Sequence, residues 1–538
     1  MKAFIGHLLT LALLALFTVL PSSAQTYTVL YNLGTNPGDP INPAWVGNFT
    51  QARDGNLYST APFDGTNLLG AVFRLTPGGT MQVLHSFNNT DGARPNSGLT
   101  LGTDGNLYGT TFAGGLAYGT IFRISTGGTF TPLHNLNGNT EGIGPNAPPV
   151  QGNDGNYYGT VGNGNNAVFG TAYKMTPAGA FTIIHTFDST NRYPNGIILG
   201  TDGNFYGTTT GSTGFGTIFR MTPQGNVTIL HTFSGTDGQS PNGTLIQASD
   251  GSFYGTTRTG GPGNGGVVYK LTSAGVFSVV HSFANDTHGQ LPIAGLTQGT
   301  DGNFYGATTT NPGVGYGTIY QITPSGTYTN LHFFVNTDGS NTQVPLYQHT
   351  TGVFYGDTVA GGSGNMGCIS CGVLYSFDMS LGPFVRLVNW SGKVGKTVEI
   401  LGQGLTGTTK VTFNGTQATF SVVADTYLTA VVPAGATSGF VSVQTPGGSR
   451  KSDRKFLVVP ALLSFNPTSG LVGDPVTLTG TSFTGTRKVT FGGVSATFTV
   501  NSDTQISTTV PTGAQTGKIQ VTTPGGKATS ATNFTVLP

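Results

Sequence analysis

Charged residues are scarce in this sequence. Asp, Glu, Lys and Arg make up 8% of the 538 residues, against about 25% in an ordinary globular protein. Coiled coils and long solvent-exposed helices need charged faces, so this scarcity excludes them. A highly charged disordered chain is excluded as well, because such chains are poor in aromatic residues and this one has 34 Phe and 20 Tyr.

Glycine, in contrast, is abundant. The 86 glycines are roughly twice the usual fraction. Aromatic and threonine-rich segments alternate with these glycines, which is typical of a β protein with many turns. The length is sufficient for two or three separate hydrophobic cores.

The first 24 residues have the features of a signal peptide. Lys2 precedes an uncharged apolar run over residues 8–20, and small residues follow up to Ala24. This order predicts export with cleavage before Gln25, and the run is short for the alternative, a membrane-retained helix. The sequence ends at Pro538 without an apolar tail or a basic stop. We therefore expect a soluble chain that is secreted or at the cell surface, with the periplasm as the alternative compartment.

A segment of the type Asp-Gly-Asn-Leu-Tyr-Gly-Thr-Thr recurs through roughly the first 380 residues. A second element, of the type Gly-Thr-Ile-Phe-Arg-Ile, follows each tyrosine, and a third, Phe-Thr-Ile-Ile-His-Thr-Phe, follows six of the seven. The seventh copy of the third element stands at the other end of the chain, in residues 28–33. The seven tyrosines, spaced by 50, 50, 48, 48, 51 and 50 residues, are Tyr58, Tyr108, Tyr158, Tyr206, Tyr254, Tyr305 and Tyr355.

The displaced copy predicts how the repeats close. Each unit contains four short strands, and four-stranded units of this length are typical of a β-propeller. In a linear solenoid, nothing favours a chain that begins with the last strand of a unit. In a closed ring, that strand can complete the last blade, so that no strand edge is left unpaired at the seam. The sequence therefore predicts an all-β fold with a seven-bladed β-propeller over residues 25–382, in which residues 26–33 complete the last blade.

The turns distinguish the two faces of this ring. The Asp-Gly-Asn and Thr-Pro-x-Gly turns are short and alike in every copy, and they define what we call the plain face. The links after the tyrosine strand and after the histidine strand differ between copies, and they define the variable face. Because rigid scaffolds usually carry recognition on variable loops, we expect the binding site on the variable face.

These Asp-Gly-Asn-x-Tyr-Gly and Ile-Phe-Arg-x-Thr-Pro elements resemble the GloVer-type tandem repeat of secreted bacterial proteins, over roughly residues 26–380. The resemblance implies export and an extracellular role. It implies no particular activity and no active site.

From about residue 383 a different repeat begins, with two copies offset by 78 residues. Short strands and Pro-Gly turns at this length predict two antiparallel sandwiches, over residues 383–459 and 460–538. The Thr-Pro-Gly-Gly and Val-Pro elements are similar to those of IPT/TIG domains, which are immunoglobulin-like and occur as spacers, beside carbohydrate-active domains and in some DNA-binding proteins. Matching segments are 392–395 with 470–473, 410–413 with 488–491, and 445–448 with 523–526.

Charge is divided unevenly between the two regions. Residues 25–382 carry 9 basic and 16 acidic residues, a net −7, whereas residues 383–538 carry 12 and 5, a net +7. The densest basic run, residues 450–455, suits an anionic surface such as an acidic polysaccharide or the cell envelope. The alternative is a solvated edge between the sandwiches. An exported chain gives no reason to expect nucleic-acid recognition.

Paired carboxylates, which glycoside hydrolases need, are hard to find. The chain has only two glutamates, Glu141 and Glu399, and we identify no catalytic residue. Six aspartates share one turn position, where Asp bonds its own backbone, so we expect them to be structural. They are Asp54, Asp104, Asp154, Asp202, Asp250 and Asp301.

Six histidines also share one repeat position, which is Tyr31 in the closing copy. A residue used once per blade is expected to pack between blades. A ring of metal sites is the alternative, and we find no carboxylate that repeats at a matching spacing. The histidines are His85, His134, His185, His231, His281 and His332.

The sequence also suggests a calcium site and a disulfide. Asp91, Glu141, Asp237 and Asp338 follow the histidine strands and could supply oxygen ligands to Ca²⁺, although ordinary turns have the same sequence; we expect no other cofactor. Cys368 and Cys371, the only cysteines, are expected to form a local disulfide in an exported chain.

Aromatic residues give the best indication of a ligand. Four of them precede the glycine that begins the third strand, where the variable loop ends. They could stack on sugar rings, or instead cover the blade edges. They are Tyr118, Phe169, Phe215 and Tyr316.

Together these features predict a non-catalytic binding or adhesion protein whose ligand is a carbohydrate or an envelope protein. Two alternatives stay open: a polysaccharide-active hydrolase or lyase on the variable face, and a structural spacer.

Overall fold

The computed structural model describes residues 25–43, 48–162, 169–211, 214–284, 289–310, 315–363 and 371–538. The predicted signal peptide lies outside these residues. The described part of the chain is all-β and contains no helix. Seven four-stranded sheets that resemble propeller blades are followed by four sheets arranged as two β-sandwiches.

The first six blade-like sheets are each built from one continuous stretch of chain. Consecutive strands are antiparallel, and we call them inner, second, third and outer. The second strand is buried along its whole length, because a sheet within the ring has neighbours on both faces. In chain order the strands are Thr50–Gln51, Leu57–Ala61, Ala71–Leu75 and Met81–Ser86; Leu99–Leu101, Leu107–Thr111, Thr120–Ile124 and Phe130–Asn135; Val150–Gln151, Tyr157–Val161, Thr171–Met175 and Phe181–Thr186; Pro194–Leu199, Phe205–Thr209, Thr217–Met221 and Val227–Thr232; Ile246–Gln247, Phe253–Thr257, Val267–Leu271 and Phe277–Ser282; and Thr297–Gln298, Phe304–Thr308, Thr318–Ile322 and Tyr328–Phe333. A small pair, Pro40–Ile41 with Phe63–Asp64, lies beside the first sheet.

The seventh sheet joins the two ends of this region. Its inner three strands are Tyr347–Gln348, Phe354–Asp357 and Val373–Asp378, and its outer strand is Thr26–Asn32 from the beginning of the chain. Thr26 pairs with Asp378 and Asn32 with Val373, in antiparallel register. The predicted closure by the N-terminal strand is confirmed.

The repeated aspartates hold their own hairpins together. In the second sheet, Asp104 Oδ1 accepts the backbone N–H of Asn106 at 3.1 Å, and Oδ2 accepts bonds from the side chains of Asn106 and Tyr108 at 2.7 and 2.9 Å. The same arrangement recurs in the first, third, fourth and sixth sheets. The structural role expected for these aspartates is confirmed.

The repeated histidines pack between neighbouring sheets, as expected. His85 stacks on Phe130, the first residue of the next outer strand, with ring centroids 4.0 Å apart. The pairs His134–Phe181 and His231–Phe277 repeat this contact. Across the seam His332 stacks on Tyr27 at 4.0 Å, so the N-terminal strand provides the aromatic ring that the second, third, fifth and sixth sheets take from their own outer strands.

The two sandwiches have the same strand order. In each, a four-stranded sheet faces a five-stranded sheet, and the core between them is aliphatic with a few Phe rings. The first contains Arg386–Leu387, Thr397–Leu401, Tyr427–Val431 and Phe420–Ala424, facing Ser391–Gly392, Gly448–Val458, Gly439–Thr445, Lys410–Phe413 and Thr416–Gln417. The second contains Ala461–Asn466, Pro475–Thr481, Gln505–Thr509 and Phe498–Ser502, facing Ser469–Gly470, Gly526–Val536, Gly517–Thr523, Lys488–Phe491 and Val494–Ala496.

Candidate binding cleft

The first sandwich packs on the plain face of the ring. Arg53, in the turn of the first sheet, places its guanidinium 2.8 Å from the Glu399 carboxylate of the sandwich. Thr426 Oγ1 donates to the backbone carbonyl of Arg53 at 2.6 Å. The Asp-Gly turns that the sequence marked as plain therefore form an interface within the chain.

His349 lies beside this interface, between the turns of the first and seventh sheets. It occupies the position before the turn, where the other six sheets have Ala or Gly, and its side chain is fully buried. Nε2 lies 3.0 Å from the carbonyl oxygen of Gly55, to which it donates, and Nδ1 accepts the backbone N–H of Thr351 at 3.2 Å. Burial lowers the pKa of His349 to about 4, with the charge of Arg386 acting in the same direction and the Gly55 bond opposing it.

Arg386 anchors the sandwich to the seventh sheet. Its Nε donates to Asp453 at 3.1 Å and its Nη2 to the backbone carbonyl of Gln348 at 2.8 Å. The guanidinium also lies 4.4 Å from the centroid of the Tyr347 ring. These contacts fix the first sandwich against the inner strand of the seventh sheet.

A cleft of about 1040 Å³ lies between the inner strands of all seven sheets and the first sandwich. Its ring wall carries Asn153 and the turns around Asp154 and Asp250, and its sandwich wall includes Trp390 and Phe440. Ser391 Oγ reaches across to Asn153 Oδ1 at 2.9 Å, so the two walls meet at this edge.

The acids that line the cleft are all engaged by cations. Asp154 lies 2.9 Å from Lys174, Asp250 lies 2.9 Å from Lys270, and Asp453 lies 3.1 Å from Arg386. Partial burial acts to raise the pKa of Asp154 and Asp250, but the bonds from these lysines and from the turn outweigh it, so the pKa of each is lowered.

Burial does raise the pKa of Asp357 and Glu399, yet neither lines the cleft. Of the described carboxyl groups, the two whose pKa burial raises therefore lie outside the lining of the cleft.

The inner strands carry a feature that the sequence analysis missed. A glutamine recurs at their last position, and its amide bonds the turn of the preceding sheet: Gln348 Oε1 accepts the N–H of Thr300 at 3.0 Å, and Gln51 Oε1 accepts that of Thr350 at 3.1 Å across the seam. Repetition at one position is the signal that could have found it. The glutamines are Gln51, Gln151, Gln247, Gln298 and Gln348.

The four predicted aromatic ligand residues lie at equivalent places in four sheets. Each lies two residues before the third strand of its own sheet. Tyr118 covers Gly138, where a Cβ would lie 2.5 Å from the ring, and Phe215 covers Gly235 in the same way at 3.0 Å. Phe169 lies 5.7 Å from the guanidinium of Arg192, and Tyr316 is half-buried beside the sixth sheet. Ligand binding by these rings stays a prediction.

The expectation that no carboxylate repeats at a spacing that matches the histidines was wrong. Asp91, Asp237 and Asp338 each follow a histidine by six residues and Glu141 by seven, and each lies 2.9–3.1 Å from that histidine's Nε2. The Asp91 carboxylate also accepts the backbone N–H of Asn88, so these acids hold the loop after the outer strand. The described residues contain no cluster of three or more metal-binding side chains, and a calcium site at these acids stays a prediction.

The predicted disulfide falls partly outside the described residues. Cys368 lies outside them, and Cys371 is buried beside Gly34 and Ile41. The pairing stays a prediction.

The comparisons with known proteins identify the class of the chain first. It is an all-β repeat protein with C-terminal sandwich sheets, and an IPT/TIG domain model matches residues 460–536. The model of the Gloeobacter/Verrucomicrobia repeat matches residues 15–215 and 193–422. The chain belongs to the Gloeobacter/Verrucomicrobia repeat family. No curated protein sequence matches it.

Solved structures resemble the chain distantly. A fungal alcohol oxidase of the AA5 family, in complex with copper, is 14% identical with a TM-score of 0.44, covering 80% of this chain and 100% of its own. A gluconolactonase from Xanthomonas campestris is 12% identical with a TM-score of 0.36, covering 66% and 89%.

SGBP-B from a xyloglucan utilization locus of Bacteroides uniformis is 20% identical with a TM-score of 0.15, and the match covers 28% of this chain and 48%, about half, of that one. Scores this low carry no argument about function. In the described part of the chain, no helix has the length and apolar character needed to cross a membrane.

Proposed function

We propose that this chain is an exported, non-catalytic glycan-binding protein. Its ligand lies in the cleft between the plain face of a closed seven-bladed propeller and the first of two immunoglobulin-like sandwiches. The observation that carries the proposal is the cleft itself, whose volume of about 1040 Å³ is at the upper end of the range for small-molecule sites, about 300–1,000 Å³.

The lining of the cleft suits a sugar chain. The exposed part of Trp390 offers an apolar face to a sugar ring, and Asn153 and Ser391 offer hydrogen-bonding groups at the rim. The wall is rigid, because Arg386, Glu399 and the glutamines of the inner strands are held by bonds within the chain. A preformed site of this kind loses little entropy when it binds a ligand.

Binding without catalysis fits the state of the carboxyl groups. Hydrolysis of a glycosidic bond requires one acid with a raised pKa and a second carboxylate across the bond. Asp154 and Asp250 have lowered pKa values and are tied to lysines. Export, on which an extracellular role depends, is proposed from residues 1–24.

The test is an array of soluble glycans and insoluble polysaccharides, probed with residues 25–538, the chain expected after signal-peptide cleavage, with and without EDTA. Asn153→Trp places a large side chain at the rim of the cleft. Asn226→Trp is the control, because Asn226 is an exposed turn residue of the fourth sheet and does not line the cleft.

We expect saturable binding that Asn153→Trp abolishes and Asn226→Trp preserves. Loss of binding in a Tyr118→Ala/Tyr316→Ala variant instead would move the site to the variable face. Shortening of the bound glycan over time would establish an enzyme, and loss of binding with EDTA would establish the predicted calcium. A blank array would refute a glycan ligand and favour an envelope protein or a spacer role.

A further inference from the structure

The two walls of the cleft differ in charge. Four cationic residues line it from the sandwich side: Lys396, Arg454 and Lys455 from the first sandwich, and Arg487 from the second. All four are exposed. Within the described residues, no carboxylate lies within 4.0 Å of Lys396, Lys455 or Arg487, and Arg454 lies 4.0 Å from Asp453.

The acids that line the cleft do not balance these cations. Asp154 and Asp250 are each paired with a lysine of their own sheet, and Asp453 is paired with Arg386. The charge left to act on a ligand is therefore positive. Opposite charges attract a ligand before contact and hold it afterwards, most strongly where arginine can form two parallel bonds to one carboxylate.

The arrangement of the cations indicates the kind of anion. They come from three separate parts of the chain: the residue before a strand, a strand and the second sandwich. Arg454 also lies over the Trp390 ring, 5.9 Å from its centroid, so a cation and an aromatic ring are adjacent in the lining of the cleft. Several separated cations next to an aromatic face suit a sugar polymer with repeated carboxylates better than a single small anion.

We propose that the cleft binds an acidic polysaccharide with uronic-acid carboxylates. This inference rests on the proposed function and adds the charge of the ligand to it. Residues 450–455, the densest basic run of the sequence, contribute through Arg454 and Lys455 at the cleft, while Lys451 is turned to the ring of Phe440, with Nζ 3.7 Å from the centroid.

The test uses polygalacturonate and its fully methyl-esterified form, which has the same backbone without the charge. Binding to residues 25–538 is measured by calorimetry at several salt concentrations. The cleft variant is Arg454→Gln/Lys455→Gln. The matched control is Lys410→Gln/Lys527→Gln, which also removes two positive charges. Lys410 and Lys527 are exposed residues, one in each sandwich, and neither lines the cleft.

We expect polygalacturonate to bind with an affinity that falls with salt, and the cleft variant to weaken it about 10-fold or more, since each lost contact to a charged group typically costs about fivefold or more. The control variant should change the affinity for polygalacturonate by less than about twofold.

Equal binding of the esterified form, an equal loss in the control variant, or equally tight binding of duplex DNA would overturn the inference. If a neutral glycan binds and Asn153→Trp abolishes that binding, the proposed function is supported and only the proposal of an acidic ligand is refuted. Failure of every glycan would refute both.

Discussion

The stability of the interface between the first and seventh sheets, beside the first sandwich, should depend on pH through His349. The imidazole is buried and neutral, with Nε2 donating to Gly55 and Nδ1 accepting the N–H of Thr351. Once protonated, Nδ1 could no longer accept the N–H of Thr351. The second proton would also add a positive charge near Arg386. Acid should therefore weaken this interface.

The size of the effect follows from the pKa shift. Burial lowers the pKa of His349 from 6.5 to about 4, so between these values the unfolded chain binds the proton more tightly than the folded chain. The stabilisation is complete above pH 6.5 and is lost as the pH falls toward 4. Between pH 7 and pH 5 the free energy of unfolding should fall by about 2 kcal/mol, and below pH 4 by about 3.4 kcal/mol.

The assay is urea unfolding of residues 25–538 and of a His349→Gln variant at pH 7 and pH 5. Glutamine can still donate to the Gly55 carbonyl and does not titrate, so the variant should lack this part of the pH dependence. We expect the wild type to lose about 2 kcal/mol more than the variant over this interval. Equal losses in the two proteins would refute the reasoning.

Two further predictions concern stability. Arg53→Ala leaves the half-buried Glu399 carboxylate without its partner and should lower the free energy of unfolding in urea by about 1–2 kcal/mol. The control is Arg74→Ala, because the Arg74 side chain bonds Gln82 within its own sheet; it should cost less than about 0.5 kcal/mol. A similar cost for both variants would contradict the proposed importance of the interface. Gly225→Ala would bring a Cβ within 1.9 Å of the Ile184 carbonyl oxygen, whereas a Cβ at Gly275, which has the same turn position and nearly the same φ of +87°, would have nothing within 4 Å. Calorimetry should show that the free energy of unfolding falls by about 1 kcal/mol for Gly275→Ala and by about 3 kcal/mol for Gly225→Ala. Equal losses would show that the turn does not press on the neighbouring sheet.

Much of the ring could be predicted because its structure repeats. The displaced element in residues 28–33 predicted which strand completes the seventh sheet, and the observed pairing of Asn32 with Val373 confirms it. The aspartate turns and the packing of the histidines followed from the same logic, since a residue that recurs once per sheet performs one local task. The carboxylate partners of the histidines were missed because their spacing is six residues in three sheets and seven in the second.

The cleft could not be predicted from repetition, because it forms where the repeats stop and two regions meet. Its signals are departures from the pattern. His349 replaces a small residue, and Arg386, Trp390 and Arg454 stand where the second sandwich has Ser464, Thr468 and Thr532. These differences distinguish the first sandwich, which bonds the turns of the ring, from the second, but a single sequence does not say which face of the ring is met.

The seam of the ring has a consequence for the order of folding. Six sheets need only loops of local length, whereas the seventh must bring Tyr27 to Asp338, which lie 311 residues apart. The entropic cost of closing a flexible loop grows with the logarithm of its length, so this closure costs about 3 kcal/mol more than that of a 15-residue loop. Once the other six sheets have formed they hold the two ends near each other, and the remaining cost is small. The seam should therefore close last as the chain folds, and it should open first when the chain unfolds.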